Sequence, residues 1–538
     1  MRIALPIAST LLVGALAGIS ADARTVSGVQ PYIEVQQVLD ADLKNGGDVL
    51  TYTAVAAGVD AGIRTQRIET TVSYRYERRF AWNDNLADDE IHSGLARLNY
   101  TAVPDLLTIE AGALATRART DIRGGAPVFL TGDNRNVSEV FAAYAGPNLR
   151  GEIGQMNWAA GYRLGYVKVR DGLGVDLPPG QRPLDRYDDS TSHTAYASIG
   201  METGILPFGW SVATGYERED ASQLDQRYEA LFVRGDVTVP VSYTLALTAG
   251  VGYEDLESSQ RAPLLGTDGF PVLNGNGGFV TDPTSPRLLA YDENGLIYDA
   301  GVIWKPNRRT TLEARVGKRY GATAVTGLLS WQTGPQSALN ITVYNAVDSF
   351  GRSLNRNLSG LPASFNVPRN GLTNRFGGCV FGTNPGAGGT GGCFNDSFQS
   401  VTTANYRSRG VTALYSARLH GWEVGIGGGY AERRYLSPLF QTIFAQDGVK
   451  DSSITLQGTL ARQLAPRTSL ENAVYVDFYD PGIPGAADVT SAGATSALFH
   501  NFTDRLTGNA TVGLYAFDQE GFESDLSGQL LLGMRYQF

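Results

Sequence analysis

Apolar residues occupy every second position over long stretches of this chain. The pattern is clearest at the C-terminus, where one face of an extended chain would carry Leu530, Leu532, Met534, Tyr536 and Phe538. The other face would carry Leu531, Gly533, Arg535 and Gln537. Only a β-strand, whose side chains alternate with a period of two, separates the residues in this way. The same alternation recurs in residues 68–77, 244–254, 422–430 and 506–514.

The length of these segments indicates a membrane protein. Many run for about ten to fifteen residues, whereas strands of soluble proteins average about five or six. A tilted strand of about ten residues crosses a bilayer, and hydrocarbon forbids an unpaired strand edge. Aromatic residues such as Tyr74, Tyr76, Phe80 and Trp82 gather at strand ends, where a headgroup girdle would place them. The sequence therefore predicts an all-β fold, a transmembrane antiparallel up-and-down β-barrel; a secreted β-sandwich or β-helix is the alternative.

Short and long connections alternate between the predicted strands. We count about 22 strands from Tyr32 to Phe538, within a range of roughly 18 to 24, and the alternation is weakest in 137–160 and 321–337. Membrane barrels have short periplasmic turns, so an even strand number puts both termini in the periplasm. Long outer loops are predicted near 120–136, 171–190, 256–295, 351–403 and 437–450.

The first 23 residues have the composition of a secretory signal peptide. Arg2 precedes an apolar run, and Ala21-Asp22-Ala23 provides a small-residue cleavage site; a buried N-terminal helix is the alternative. The domain prediction is a signal peptide at 1–23 and an outer-membrane barrel at 24–538. Only about eight mature residues precede the first strand. We therefore expect no N-terminal plug domain, which argues against an energy-coupled siderophore or vitamin transporter.

Composition removes several other classes. The chain has 538 residues, of which 18% are charged, and 44 Lys plus Arg stand against 54 Asp plus Glu, so the net charge is -10. A nucleic-acid partner is not expected, because phosphate binding needs a basic footprint. The aromatic content of 10% also argues against a disordered chain.

Two resemblances refine this interpretation. The C-terminal residues Leu530, Leu532, Met534, Tyr536 and Phe538 resemble the assembly signature of Gram-negative outer-membrane barrels. This resemblance implies a location in the cell outer membrane, with the barrel-assembly machinery, outer-membrane lipid and lipopolysaccharide as partners. The segments 32–35, 73–79 and 308–313 resemble a group of outer-membrane porins linked to exopolysaccharide loci. That second resemblance implies a pore or an accessory to polysaccharide export.

Cys379 and Cys393 are the only cysteines, and both lie in a Gly-rich predicted loop. In an oxidising compartment they predict a disulfide, whose closure of about 15 residues restrains the unfolded loop by on the order of 3 kcal/mol. A zinc site is the poorer alternative, because two thiols supply only half of the usual four ligands. No metal or cofactor is expected.

The lumen-facing side chains are the candidate functional residues. The alternation places glycines of 425–429 toward the lumen, where they leave room. Charged residues on lumen faces could form rings that select ions, or a salt-bridge ladder that only holds the wall. These lumen-facing charge candidates are Glu69, Arg75, Glu77, Arg79, Glu313, Arg315 and Arg319.

The predicted function is a porin-like channel for passive passage of small solutes or export of a carbohydrate polymer. A barrel of this size encloses more space than side chains can fill, and the loops 256–295 and 351–403 could constrict it. A structural or adhesive surface barrel without transport is the alternative. An outer-membrane lipid hydrolase is more remote, because His92, His193, His420 and His500 form no catalytic spacing with a Ser or an acidic pair. No catalytic residue is therefore assigned.

Overall fold

The fold was analysed in a computed structural model. It describes residues 28–538 except 45–48, 83–88, 122–135, 171–183, 276, 367–377, 383–390, 395–396, 402–404, 439–446, 484–485 and 522–523. The predicted signal peptide at 1–23 lies outside the described residues, as do large parts of the loops predicted near 120–136, 171–190 and 437–450.

Twenty-two strands form one antiparallel sheet that closes on itself. Each strand pairs with the next along the chain, β15 pairs with β19, and β25 returns to pair with β1. The predicted barrel and its strand number are therefore confirmed, with the first strand beginning at Gly28 rather than near Tyr32. The barrel strands are β1 (Gly28–Asp42), β2 (Leu50–Arg64), β3 (Ile68–Ala81), β4 (Asp89–Val103), β5 (Leu107–Arg119), β6 (Val137–Ile153), β7 (Met156–Arg170), β8 (Asp189–Met201), β9 (Gly209–Ala221), β10 (Gln226–Pro240), β11 (Leu245–Gln260), β12 (Leu288–Asn307), β13 (Thr310–Arg319), β14 (Ala322–Gly334), β15 (Ser337–Asp348), β19 (Asn405–Leu419), β20 (Trp422–Leu436), β21 (Lys450–Ala465), β22 (Thr468–Asp480), β23 (Val489–Asn501), β24 (Leu506–Gln519) and β25 (Asp525–Gln537).

Four shorter elements lie in the connection between β15 and β19. They are the helix α1 (Phe350–Gly360) and the three strands β16 (Phe365–Asn366), β17 (Cys379–Gly382) and β18 (Gly391–Cys393), which form a separate sheet. A 3-10 turn, Gln223–Asp225, connects β9 to β10. Among the described residues, no helix is long and apolar enough to cross a bilayer.

The two faces of each strand have different surroundings. On β11, Leu247, Val251 and Tyr253 are exposed on the barrel exterior, whereas Thr248 and Glu254 are buried on the lumen side. The C-terminal strand follows the same rule, with Leu531 buried in the lumen wall. Leu530, Leu532, Met534, Tyr536 and Phe538 all lie exposed on the exterior.

The exterior carries the aromatic girdle that a bilayer requires. At the end of the barrel where the turns are short, tryptophans close the apolar band; at the other end, tyrosines such as Tyr216, Tyr253 and Tyr430 close it. On β20, for example, the band runs from Trp422 to Tyr430, close to the roughly nine to eleven residues that a tilted strand needs. The short-turn tryptophans are Trp158, Trp210, Trp304, Trp331 and Trp422.

The loop boundaries predicted at 256–295 are wrong. β11 and β12 stay paired up to Gln260 and Leu288, with a register shift between Ser258 and Ser259, so the connection spans only 261–287. Exterior residues of this extension, such as Asp255 and Glu257, are polar because they rise above the apolar band. Alternation of hydropathy therefore disappears while strand pairing continues.

Candidate functional site

The described residues of the connection between β15 and β19, which are 349–366, 378–382, 391–394 and 397–401, pack inside the barrel; we call them the inner segment. Sequence analysis predicted only a long loop near 351–403, whereas the structure forms the helix α1 within it. Ser349 caps the helix, because its Oγ accepts a hydrogen bond from the Arg352 backbone N–H at 3.2 Å. Phe350, Leu354 and Leu358 recur every four residues and so share one face of α1.

This apolar face of α1 packs against the lumen side of β5–β8. Phe350, Leu354 and Leu358 are fully buried there. Gly165 on β7 permits the close approach, since a Cβ at that position would lie 2.4 Å from Asn355 Nδ2. The apolar residues that receive the helix are Leu114 on β5, Val140 and Ala142 on β6, and Val167 and Val169 on β7.

The polar face of α1 is held by charged groups of the wall. Arg352 forms an ion pair with Glu219 of β9 at 3.3 Å, and its guanidinium lies 3.2 Å from the ring centre of Tyr228 on β10. Arg97 of β4 donates to the Leu361 carbonyl at 2.8 Å and to the Ser359 carbonyl at 3.1 Å. Arg97 thus satisfies carbonyl groups that the helix end leaves without intrahelical partners.

The cysteines staple the small sheet of the inner segment. Cys379 on β17 and Cys393 on β18 are cross-strand partners and are joined as a disulfide, with their Cα atoms 4.0 Å apart. Gly427 of β20 lies against this pair, because a Cβ there would lie 2.6 Å from Cys379 Sγ. Gly425 similarly makes room for the ring of Phe381. The lumen-facing glycines therefore accommodate the inner segment.

The end of the inner segment is anchored near the long-loop rim. Ser400 Oγ accepts a hydrogen bond from Arg433 at 2.8 Å, and the Val401 N–H donates to the Arg119 carbonyl at 2.8 Å. Arg433 forms an ion pair with Asp451, and both side chains are fully buried. The segment is therefore tied to opposite parts of the wall, β5 on one side and β20 on the other.

The wall formed by β10–β14 carries a different set of residues. Arg234 bonds Asp236 at 2.7 Å and Asp299 at 2.5 Å, while Arg315 bonds Asp236 at 2.7 Å and Glu313 at 3.2 Å. We call these five residues the ion network. Between 15% and 26% of each side chain's surface is exposed, so water reaches the ion network.

The neighbouring strand β14 completes this wall. Thr326 and Leu328 are the register partners of Arg315 and Glu313, so they face the lumen beside the ion network. Both are exposed, and Leu328 retains 38% of its surface. The wetted part of the lumen wall is therefore chemically mixed, with ion pairs next to hydroxyl and aliphatic groups.

The predicted lumen charges divide into two sets that the structure does not bring together. On β3, Arg75 lies 2.5 Å from Glu34 and 2.9 Å from Glu77, and Glu77 also bonds Arg79 at 2.7 Å. This set is less than 10% exposed and forms a ladder. Glu69, also on β3, accepts a hydrogen bond from Ser364 of the inner segment at 2.8 Å.

The second set lies on β13, with different partners. Arg315 and Glu313 belong to the ion network, and Arg319 bonds Glu254 at 3.1 Å. Sequence analysis missed Arg234, Asp236 and Asp299. In the sequence, the only indication of these residues is that they are charged and alternate into lumen-facing positions of β10 and β12. The strand register that makes them neighbours cannot be read from the sequence.

Three of the four histidines form hydrogen bonds with hydroxyl groups on the barrel exterior. His92 contacts Tyr74 at 2.7 Å, His193 contacts Tyr162 at 2.7 Å, and His500 contacts Thr468 at 3.0 Å. His420 occupies the two-residue turn between β19 and β20 with a positive φ of 51°. None of these contacts supplies the nucleophile and acid of a hydrolase.

Comparison with known proteins gives limited information. No protein-family model and no curated protein matches the chain. The FrpB iron transporter from Neisseria meningitidis has a TM-score of 0.43 and 9% identity, over 95% of this chain and 82% of that chain. The ferric-catecholate import receptor Fiu from E. coli K12 has a TM-score of 0.44 and 11% identity, over 96% and 82%. At these scores the likenesses carry no argument about what this chain does.

Proposed function

We propose that this protein is an outer-membrane channel for small polar solutes, in which the inner segment narrows the lumen and the ion network selects among solutes. One observation carries the proposal. The inner segment packs against β5–β8 and binds β19–β21, whereas the β10–β14 wall keeps a partly exposed ion network. A charged lumen wall that stays partly exposed is the feature that a pathway for polar solutes needs.

The chemistry of the ion network supports weak selection. Two guanidinium groups face three carboxylates, Asp236, Asp299 and Glu313, so the network has a net charge of about one negative unit. Fixed charges in a narrow, partly dehydrated passage bias which ions enter. We therefore expect a modest preference for cations.

Export of a carbohydrate polymer is the finer alternative for the same barrel. A polymer needs the inner segment to leave the lumen, and that movement would break its contacts with Glu219, Arg97 and Arg433. The contacts therefore favour small solutes. The test is to cross-link the inner segment to the wall and measure polymer flux. Flux that continues through the cross-linked barrel would contradict this preference.

Planar bilayer recording tests the proposal. The purified protein should show discrete conductance steps, and Arg315→Gln should raise the cation-to-anion permeability ratio by a factor of a few. One unit charge near a partly hydrated pathway contributes on the order of 1 kcal/mol or more. Arg462→Gln, on the exterior beside Trp422, is the matched control and should leave the ratio unchanged. A silent wild-type barrel would contradict transport and favour the adhesive alternative.

We also propose that the exterior face of β25 acts as an assembly signal for the barrel-assembly machinery. Its apolar residues remain exposed after β25 pairs with β1, so the lipid-facing stripe is not needed for strand pairing itself. Phe538→Ala should lower the yield of heat-modifiable barrel in the outer-membrane fraction, but not refolding in detergent. Gln537→Ala, which faces the lumen, is the control. Equal yields in cells would refute the signal.

A further inference from the structure

A row of three cations crosses the barrel exterior at the long-loop end of β19–β21. Arg407 pairs in register with Arg434, and Arg434 pairs with Lys450. Arg434 and Lys450 are exposed and Arg407 is half-buried, while the alternate residues Arg433 and Asp451 are buried on the other face. We call Arg407, Arg434 and Lys450 the cation row.

The cation row lacks the compensation found elsewhere on this surface. Directly opposed residues have Cβ atoms about 5 Å apart, and like charges at that distance destabilise a sheet. Among the described residues, Arg407 donates to two neutral oxygens, Asn345 Oδ1 at 3.2 Å and the Thr323 carbonyl at 3.1 Å. Across the described residues, neither Arg434 nor Lys450 forms an ion pair.

Other exterior cations at the same end of the barrel have acidic partners. Arg78 bonds Glu90 at 2.9 Å, Arg227 bonds Asp220 at 2.7 Å, and Lys168 bonds Asp188. The nearest carboxylates along the sheet offset this charge only in part: Glu432 pairs with Arg409 at 2.8 Å and also attracts Lys450, and Asp480 accepts a hydrogen bond from the Gly482 N–H at 2.7 Å. Among the described residues, the cation row therefore keeps an excess of positive charge that an anion from outside the chain can neutralise.

The height of the cation row identifies the source of the anion. On the same exterior face, the polar residues Arg409, Glu432 and Ser452 form the next row down. Tyr430 and Ile454 lie one row further down and are exposed, so they mark the top of the apolar band. Arg434 is four residues beyond Tyr430, about 13 Å along the strand and about 10 Å in height when the strand is tilted. Long cationic side chains reach back toward the headgroup layer from such positions.

We propose that the cation row binds the phosphate groups of a phosphorylated glycolipid of the outer leaflet, whose acyl chains lie against Tyr430 and Ile454. Arginine guanidinium groups bind phosphate oxygens through paired charge-assisted hydrogen bonds, and Lys450 adds a point charge. The apolar surface that begins at Tyr430 and Ile454 holds the lipid tail, which a free anion lacks. This inference depends on the membrane placement of the barrel but not on transport through it.

Native mass spectrometry in detergent tests the inference with purified lipopolysaccharide as the probe. Wild type should retain the glycolipid, and Arg434→Gln with Lys450→Gln should weaken the apparent affinity at least tenfold. Lys168→Gln with Arg170→Gln removes two exterior cations from β7, where acidic partners are present, and should leave the affinity within twofold of wild type. Heat-modifiability reports whether each variant is folded. If the double variant does not fold, Lys450→Gln alone replaces it in the test and should weaken binding about threefold.

Two further probes distinguish the source of the phosphate. Lipopolysaccharide with its phosphates removed should bind at least tenfold more weakly to wild type, and inorganic phosphate at millimolar concentration should not displace the intact glycolipid. Equal retention by wild type and Arg434→Gln/Lys450→Gln would overturn the site. Equal binding of the dephosphorylated lipid, or displacement by inorganic phosphate alone, would overturn the glycolipid phosphate as its occupant.

Discussion

Two parts of the lumen wall share one architecture but have opposite chemistry. The β5–β8 wall presents aliphatic side chains, such as Leu114, Val140 and Val167, which are buried in one cluster with the inner segment. The β10–β14 wall presents the ion network, whose members stay partly exposed. Both walls come from strands with the same alternation and the same apolar exterior.

The difference shows what lumen-facing residues encode. An aliphatic side chain facing a water-filled lumen gains nothing from its position, so an apolar lumen face indicates that another part of the chain packs there. Ionised side chains in the same geometry can remain hydrated while they pair. An apolar lumen face therefore marks the wall that supports the inner segment, whereas a charged face can be buried, as on β3, or exposed, as in the ion network.

The largest effect is expected from the buried ion-pair ladder on β3. Arg75→Gln would leave Glu34 as a buried carboxylate without its guanidinium partner and Glu77 with Arg79 alone, and should lower the free energy of unfolding by about 3–5 kcal/mol. Arg315→Gln in the ion network, where the side chain is 20% exposed, should cost about 1 kcal/mol or less. Denaturant titration in detergent micelles measures both. Equal losses would show that exposure does not separate the ladder from the ion network.

The second-largest effect is expected from a buried leucine of the inner segment, compared with an exposed leucine of the lumen wall. Leu354→Ala removes a fully buried side chain between α1 and the β5–β8 wall and should cost about 2–5 kcal/mol. Leu328→Ala, on the exposed lumen face of β14, removes the same atoms and should cost less than about 1 kcal/mol. Denaturant titration measures the costs, and proteolysis of the inner segment in folded protein shows where Leu354→Ala acts. Equal sensitivity of the two variants would mean that α1 is not stably packed.

The barrel was predictable because its signal is local. Alternation at every second residue assigns both the strand and its face, so the strand number and the exterior stripe of β25 follow from short windows. The signal fails where strands rise above the bilayer, as at Asp255 and Glu257, since both faces are then polar. Strand ends are therefore the weakest part of such a prediction.

The inner segment was only partly predictable. Gly425 and Gly427 indicated free space at the lumen face, and the two cysteines indicated a loop closed by a disulfide. Nothing in the sequence indicated that the disulfide packs against these glycines. Phe350, Leu354 and Leu358 carry a helical period, yet α1 is short, and isolated helices of this length are marginal without tertiary packing. Its stability comes from β5–β8, which lie far away in the chain.

The smallest effect should come from the contact between the disulfide and the β20 glycines. Gly427→Ala places a methyl group 2.6 Å from Cys379 Sγ and 2.8 Å from Leu414, so the small sheet must shift away from β20. Overpacking of this kind costs about 1–3 kcal/mol, and a displaced sheet should expose the disulfide to faster reduction by dithiothreitol. Gly458→Ala on the exterior of β21 is the matched control, because its new methyl group meets only Val474 at 3.1 Å. If both variants reduce at the wild-type rate, the small sheet does not rest on β20, and the inner segment would be held by α1 and the rim contacts alone.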